Sequence, residues 1–500
     1  LAQSLAESMA PLRLRRQADI GDLPTMVTLM DLFRARSVEG LKVLDRWTRS
    51  EAAGKSLSTP IGLRGGGEPL LFDLHERVHG PNGLVAGMVG AGKSELLQTV
   101  VASLAVNYHP HRVAFVLIDY KGGGMADPFI HIPHTLGVIT NLQEGGLATR
   151  AITSLKVELN RRLRLFQEAG VNHIDKYQQL YYRGAAKEPL PYLVIIVDEF
   201  AEMKTEQPEV AAEFVRIARL GRAPGFRLIL AMQKPAGIVD GQIEANTRFR
   251  LCLRVAQTED SQAMLRRPEA AYLTGVGRAY FQVGVNEEFN LFQVAWSGAP
   301  YQPLDPEDSG REIVELTLDG RRITHDPPLA PLKSRRNQDD KELSQLQVLM
   351  NHLAQVADQA QIEPLQGPWL PPLPRQMALD TLRQGGWNGQ VWEPVEEWLQ
   401  PVIGLLDDPQ HQAQYPLKLD LADGHLLVYG APGYGKTAFL QTLVTSLALT
   451  YSPDDVNIYL LDLGGRLLQM FEGLPHVGAV INADDGERLH RLMRFLLTEM

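Results

Sequence analysis

The residues best suited to chemistry in this 500-residue chain are Gly87-Met88-Val89-Gly90-Ala91-Gly92-Lys93-Ser94, spaced as a phosphate loop, GxxxxGK[ST]. A nucleoside triphosphate brings several anionic oxygens and a magnesium ion. Holding it takes backbone N–H donors at close range, which small residues permit. Gly87, Gly90 and Gly92 supply that freedom. A helix opening at Lys93-Ser94-Glu95 would aim its positive end at the phosphates. Lys93 is expected to reach the β- and γ-phosphates, and the Ser94 hydroxyl to ligate Mg2+.

A second element follows about a hundred residues later. The apolar run Leu193-Val-Ile-Ile-Val197 ends in Asp198-Glu199, which places two carboxylates at the carboxyl edge of a sheet, where open α/β folds bind ligands. Asp198 would hold Mg2+ through its water shell, and Glu199 would polarise the attacking water. Gln233, at the end of the next apolar strand (227–231), is placed to sense the γ-phosphate beside Glu199. Sites of this type hydrolyse slowly until an arginine, often a neighbouring subunit's, stabilises the transition-state charge. Arg150 is the first candidate; Arg248 and Arg250 are the others. The segment Asp119-Tyr-Lys-Gly-Gly-Gly-Met125 leaves a strand on the same edge, with no residue-level chemistry assigned to it.

The elements that must position these groups follow from hydrophobic pattern. Unbroken apolar runs at 83–86, 113–118, 192–197 and 227–231 read as parallel strands covered on both faces, with a helix from Glu95 to Asn107 after the loop. Strands alternating with helices argue for an α/β sheet with right-handed crossovers. Cys252, the single cysteine, lies in a strand-like alternation and reads as core. A helix-like stretch spans Val38 to Trp47, and Gly65-Gly66-Gly67 separates two strands. The net charge of −10 argues against a chain built to coat nucleic acid. No run of 18 apolar residues is present, the chain starts without Met, and it stops at Met500 inside an apparent helix. Both ends are read as cut.

An internal repeat organises the whole. Gly430-Ala431-Pro432-Gly433-Tyr434-Gly435-Lys436-Thr437 is a second phosphate loop. Lys93 and Asp119 are 26 residues apart, as are Lys436 and Asp462. Asp119-Tyr-Lys-Gly-Gly is echoed by Asp462-Leu-Gly-Gly, and Ile132-Pro-His134 by Leu474-Pro-His476. The expectation is α/β: tandem RecA-like P-loop ATPase domains with mainly parallel central sheets, joined by a Pro-rich linker with a helix. The boundaries read as an N-terminal helical region from a preceding domain (1–60), a first ATPase domain (61–300), a linker (301–384, with the charged run Lys333–Lys341) and the start of a second ATPase domain (385–500).

Several longer runs resemble one family. These are His79-Gly-Pro-Asn-Gly-Leu-Val-Ala-Gly, Leu117-Ile-Asp-Tyr-Lys-Gly-Gly-Gly-Met-Ala126, Val197-Asp-Glu-Phe-Ala-Glu202, Ala218-Arg-Leu-Gly-Arg222, Ile229-Leu-Ala-Met-Gln-Lys-Pro235, Gly277-Arg-Ala-Tyr-Phe-Gln-Val283 and Ala295-Trp-Ser-Gly298. Together they resemble the EssC/YukB/EccC ATPases of type VII secretion, within the FtsK/SpoIIIE group of hexameric motors. The resemblance covers residues 20–300 strongly and 385–500 more loosely. It implies an ATP- and Mg2+-dependent motor at the cytoplasmic face of the membrane, anchored by segments outside this stretch. It further implies self-association as a hexamer, partnership with other membrane components, and export of small WXG-type helical-hairpin proteins. Where relatives carry Thr-Thr-Gly-Ser-Gly, this chain has Met88-Val-Gly-Ala-Gly92, and the second copy lacks the Tyr-Lys after its aspartate.

The same core chemistry would serve a DNA translocase of the FtsK type, or modules that bind nucleotide only to assemble a scaffold. Two motor copies in one chain and the acidic total favour secretion over DNA.

Overall fold

The computed structural model describes residues 23–302 and 343–499, apart from 53–55, 123, 141–146, 286, 366, 369, 371–372, 375 and 384, and between 303 and 342 only a short hairpin. The arginines before residue 23 and the charged run at 333–341 lie outside the described residues. The chain divides into two compact units, one up to Trp369 and one from Leu370.

In chain order the first unit holds α1 (Leu29–Phe33), α2 (Val43–Ala52), β1 (Ser58–Arg64), β2 (Pro69–Asp73), β3 (Gly83–Ala86), α3 (Lys93–Asn107), β4 (Val113–Asp119), β5 (Thr135–Thr140), α4 (Leu147–Glu168), α5 (Ile174–Tyr182), β6 (Tyr192–Asp198), α6 (Phe200–Glu206), α7 (Pro208–Leu220), β7 (Phe226–Met232), α8 (Gly241–Asn246), β8 (Phe249–Leu253), α9 (Thr258–Leu265), β9 (Arg278–Val283), β10 (Glu288–Val294), the hairpin β11 (Val314–Leu316) and β12 (Arg322–Thr324), and α10 (Gln345–Gln359). The first ten strands form one sheet in the order β2-β1-β10-β9-β8-β3-β7-β6-β4-β5. The six from β8 to β5 are parallel, and the other four extend the sheet antiparallel.

Alternation along the strands divides the interior. Val85, Phe115, Leu117, Val194, Ile196 and Ala231 face a core shared with α3, whereas Leu84, Val116, Ile118, Ile195 and Leu230 face one shared with α4 and α7. The β3, β4, β6 and β7 strands are buried on both faces, as their unbroken apolar runs require. The α3 helix is apolar nearly all round because it is covered nearly all round. The sheet covers one side, and α2 and α10 help to cover the rest.

That packing redraws the expected boundaries. The helix α10, read from sequence as linker, buries Leu346, Leu349, Met350 and Leu353 in the same core as Leu96 and Val100. At about 1.5–3 kcal/mol per fully buried side chain, those contacts hold α10 in the first unit. The region before residue 60 is likewise built in: Trp47 is fully buried, and its Nε1 donates to Ala105 O of α3 at 2.8 Å. The continuous helix expected over 38–47 is broken at Lys42, whose backbone is left-handed (φ 49°). Only the second half becomes α2.

The second unit contains β13 (Gly386–Trp387), β14 (Trp392–Glu393), β15 (Val402–Asp408), β16 (Ala413–Lys418), α11 (Lys436–Thr450), β17 (Ile458–Asp462), β18 (Val477–Asn482) and α12 (Gly486–Glu499). The β15–β16 pair is an antiparallel hairpin, and β17–β18 is parallel. No helix among the described residues is long and apolar enough to cross a membrane.

Candidate active site

The loop after β3 is pinned from both flanks. Gly87 N–H donates to Met232 O of β7 (3.3 Å) and Met88 N–H to Arg254 O just past β8 (2.8 Å). Gly90 (φ 78°) and Gly92 (φ 100°) adopt backbone conformations that L side chains avoid, and this turns the chain into α3. A Cβ on Gly92 would also stand 3.3 Å from Gly277 N. The loop tip is open, with Val89 77% exposed and Ser94 exposed, while Ala91 is buried.

Lys93, at the start of α3, is buried and crosses to the carboxylates ending β6. Its ammonium pairs with Asp198 Oδ1 and lies 3.0 Å from Glu199 Oε1. Glu199 N–H donates to Asp198 Oδ1 (2.9 Å), and Gln233 Nε2 donates to Glu199 Oε1 (2.6 Å). Four residues spread over 141 positions of sequence are thus brought into one connected group at the carboxyl edge. Burial pushes the Asp198 carboxyl above its ordinary range, with Lys93 pulling the other way. Glu199 is in the left-handed region (φ 55°), which costs a non-glycine residue about 1–2 kcal/mol. Strain of that kind is kept where geometry serves function. Here it folds the chain from β6 straight into α6 and leaves the carboxylate beside Gln233.

The donor set fits a nucleotide with Mg2+. The cradle offers backbone N–H groups, two glycines with positive φ, an exposed hydroxyl at Ser94 and a carboxylate at Asp198. Glu95, the last residue of the expected nucleotide-binding run, turns its carboxylate to the segment after β10: its Oε2 accepts from Ser297 N–H (3.1 Å), Ser297 Oγ (2.7 Å) and Gly298 N–H (3.2 Å).

The arginines separate. Arg150 lies in the first turn of α4, which follows the edge strand β5 and packs on the sheet face opposite α3. Four strand steps part β5 from β3, roughly 19 Å at ordinary strand spacing. Arg248 and Arg250 lie at the amino end of β8, away from the loop; Arg250 is tied to Glu244 (2.9 Å) and Met264 O (2.6 Å), and Arg248 to Glu287 (2.8 Å). Arg254, exposed at the carboxyl end of β8 and bonded to the loop through its carbonyl, is an arginine that sequence reasoning passed over. Its position one residue past an apolar strand was the available signal.

The segment from Asp119 now has a local role. Asp119 stands in register with Asp198, and its Oδ1 accepts from Lys121 N–H (3.2 Å) and Gly122 N–H (2.9 Å). Tyr120 OH donates to Glu206 (2.7 Å), and Lys121 pairs with Glu202. The turn is thereby fastened to α6, next to Glu199.

The second loop repeats the backbone of the first. Gly433 (φ 83°) and Gly435 (φ 86°) match Gly90 and Gly92, and α11 is as long as α3, 15 residues. The side chains differ. Lys436 folds back onto Gly430 O (2.6 Å) and Ala431 O (3.0 Å) of its own loop.

The repeat extends further than the motifs showed. His134 Nε2 meets Tyr108 O at 2.8 Å with Trp47 edge-on (ring centroids 5.3 Å); His476 Nε2 meets Tyr451 O at 2.8 Å with Trp392 edge-on (5.4 Å). The indole N–H groups of Trp47 and Trp392 donate to Ala105 O and Ala448 O, equivalent positions of α3 and α11. The Pro-His echo was visible in sequence; its tryptophan partners, offset by different intervals, were not.

Residues 43–237 and 398–500 match the FtsK/SpoIIIE family profile. The chain is 41% identical over 483 residues to the type VII secretion system protein EssC of Staphylococcus aureus, covering 96% of this chain and 32% of that protein. It is 40% identical to the ESX secretion system protein EccC of Geobacillus thermodenitrificans, covering 96% and 31%. Among solved structures, the cytoplasmic domain of the Thermomonospora curvata type VII secretion ATPase EccC superposes with a TM-score of 0.77 at 31% identity, covering 94% of this chain and 51% of that one. The chain spans about a third of the length of these curated relatives.

Proposed function

The chain belongs to the FtsK/SpoIIIE family, and from that premise we propose that it is the ATP-hydrolysing part of a type VII secretion motor. The observation that carries the hydrolytic half is the connected group Lys93, Asp198, Glu199 and Gln233 beneath an open phosphate loop. When bound, Mg2+ would neutralise charge on the phosphates. Ser94 and Asp198 would hold it. In this reading Lys93 leaves the carboxylates for the β- and γ-phosphates. Its departure frees Glu199 to orient water and take up its proton, with Gln233 holding Glu199 in place and reporting the γ-phosphate. Arg150 serves a neighbouring subunit, because its helix lies on the far side of its own sheet from the loop. A hexamer supplies that neighbour.

Likeness to the secretion proteins carries the other half: transport of small WXG-type helical proteins, with other membrane components, at the cytoplasmic face of the membrane. The second loop binds nucleotide in this reading. The test is Glu199→Gln in the complete protein within its own secretion system. Export should stop while nucleotide binding persists; export at the normal level would refute the motor. Hydrolysis stimulated by double-stranded DNA, with steep salt dependence, would refute the secretion assignment instead.

A further inference from the structure

Lys93, Asp198, Glu199 and Gln233 fix the direction in which a nucleotide must lie. They gather on the β6 and β7 side of the loop, so the terminal phosphate belongs there. The nucleoside end then extends to the other side, where the antiparallel strands return to the loop. Gly277, just before β9, donates its N–H to Ala91 O at 3.0 Å. Beyond it, Trp296-Ser297-Gly298, just after β10, runs along the first turn of α3 and is fastened there by Glu95.

The indole of Trp296 lies at this point. A Cβ on Gly298 would stand 2.9 Å from Trp296 Nε1 and 3.3 Å from Glu95 Oε1, so ring edge and carboxylate flank the same small gap. The backbone is held tightly: Trp296 N–H donates to Val27 O at 2.7 Å, and Ser297 is fully buried. Trp296 as a residue is 38% exposed, and Val276, on the neighbouring segment, is 68% exposed. A rigidly mounted indole facing solvent beside the start of a phosphate-binding helix is a ready surface for a flat heterocycle.

We infer that Trp296 is the stacking platform for the nucleoside base of the nucleotide whose phosphates occupy the loop at 87–94, an inference that rests on the nucleotide reading above. Trp296 touches the base. Glu95 is a positioning residue that sets the segment carrying it. Stacking on an indole accepts any base, so Trp296 raises affinity for nucleotides generally and does little to separate adenine from guanine.

The test uses the whole chain carrying Lys436→Ala in every protein compared, so that the second loop does not bind, with Mg2+ and two ligands, ATPγS and inorganic tripolyphosphate, in titration calorimetry. Trp296→Ala should weaken ATPγS about tenfold and leave tripolyphosphate unchanged, with Trp296→Phe recovering most of the loss. Unchanged ATPγS affinity would overturn the platform. An equal loss for both ligands would overturn it too, by assigning Trp296 to support of the loop. If the chain with Trp296 intact bound neither ligand, the nucleotide reading would fail and take the platform with it. A second measurement does not depend on how the alanine variant folds. Intrinsic tryptophan emission of the chain with Trp296 intact should be quenched by ATPγS but not by tripolyphosphate, and Trp296→Phe should abolish that quench; a quench that survives in Trp296→Phe refutes the inference.

Discussion

Lys93→Met, in nucleotide-free protein, tests the group from which hydrolysis is proposed. Lys93 is the cation for two carboxylates, Asp198 and Glu199, which are 4% and 9% exposed. Removing one partner of a buried ion pair costs about 3–5 kcal/mol. Each carboxylate keeps one N–H donor, Glu199 N–H for Asp198 and Gln233 Nε2 for Glu199, so the loss belongs at the lower end, about 3 kcal/mol. For a unit of this size that is a drop of roughly 4–5 °C in Tm. Burial already raises the Asp198 pKa, and losing Lys93 raises it further. A carboxyl raised above its unfolded value near 3.9 is neutral in both states at low pH and costs stability as pH rises toward and through its folded pKa. The deficit against wild type should therefore be large at pH 8, shrink at pH 5, and mostly disappear in Lys93→Met/Asp198→Asn. Scanning calorimetry of the three proteins at both pH values reads this directly. A deficit below about 1 kcal/mol at pH 8, or one equal at both pH values, refutes the claim that Lys93 is the compensating charge of a buried acidic pair.

Glu199→Gln should retain nucleotide affinity and lose hydrolysis by about 10²–10⁴-fold in a phosphate-release assay, as removal of a general base does. Arg150→Ala should lower hydrolysis by about 10³–10⁵-fold in the assembled oligomer while binding stays intact; normal turnover there sinks the assignment in trans. His134, fully buried, has its pKa pushed down to about 4 by burial. It is neutral in both states above pH 6.5, and below that the unfolded chain takes the proton first. Its contribution should fall by about 2 kcal/mol between pH 7 and pH 5, and His134→Gln should flatten that part of the urea-midpoint profile.

What could be read in advance follows from local physics. Apolar runs ending in Asp198-Glu199 and Gln233, and the glycines before Lys93, each announce a strand end or a turn without reference to distant residues. Parallel strands then bring those ends to one edge by topology alone. The left-handed backbone at Glu199 was not readable, because nothing in the residue type favours it. The tie between the Glu95 carboxylate and Ser297 was not readable either, because the two lie 202 positions apart. The α10 helix sits among prolines and charges, a composition that suggests a linker, and only its buried face against α3 shows that it is core. Arg248 and Arg250 were candidates by charge, and the structure places them at the amino end of β8, paired with Glu287 and Glu244.

The Trp–His clasp, found once in each unit, also says something about ancestry. Trp392 lies 345 positions after Trp47, Lys436 lies 343 after Lys93, and His476 lies 342 after His134. The stretch of gene that was duplicated therefore began upstream of the first β-strand of the sheet, and small insertions and deletions have since accumulated between its landmarks. Modules exchanged between such proteins, by recombination or by design, have a natural seam ahead of the tryptophan. A joint placed after it would hand each module a histidine whose clasp belongs to another parent.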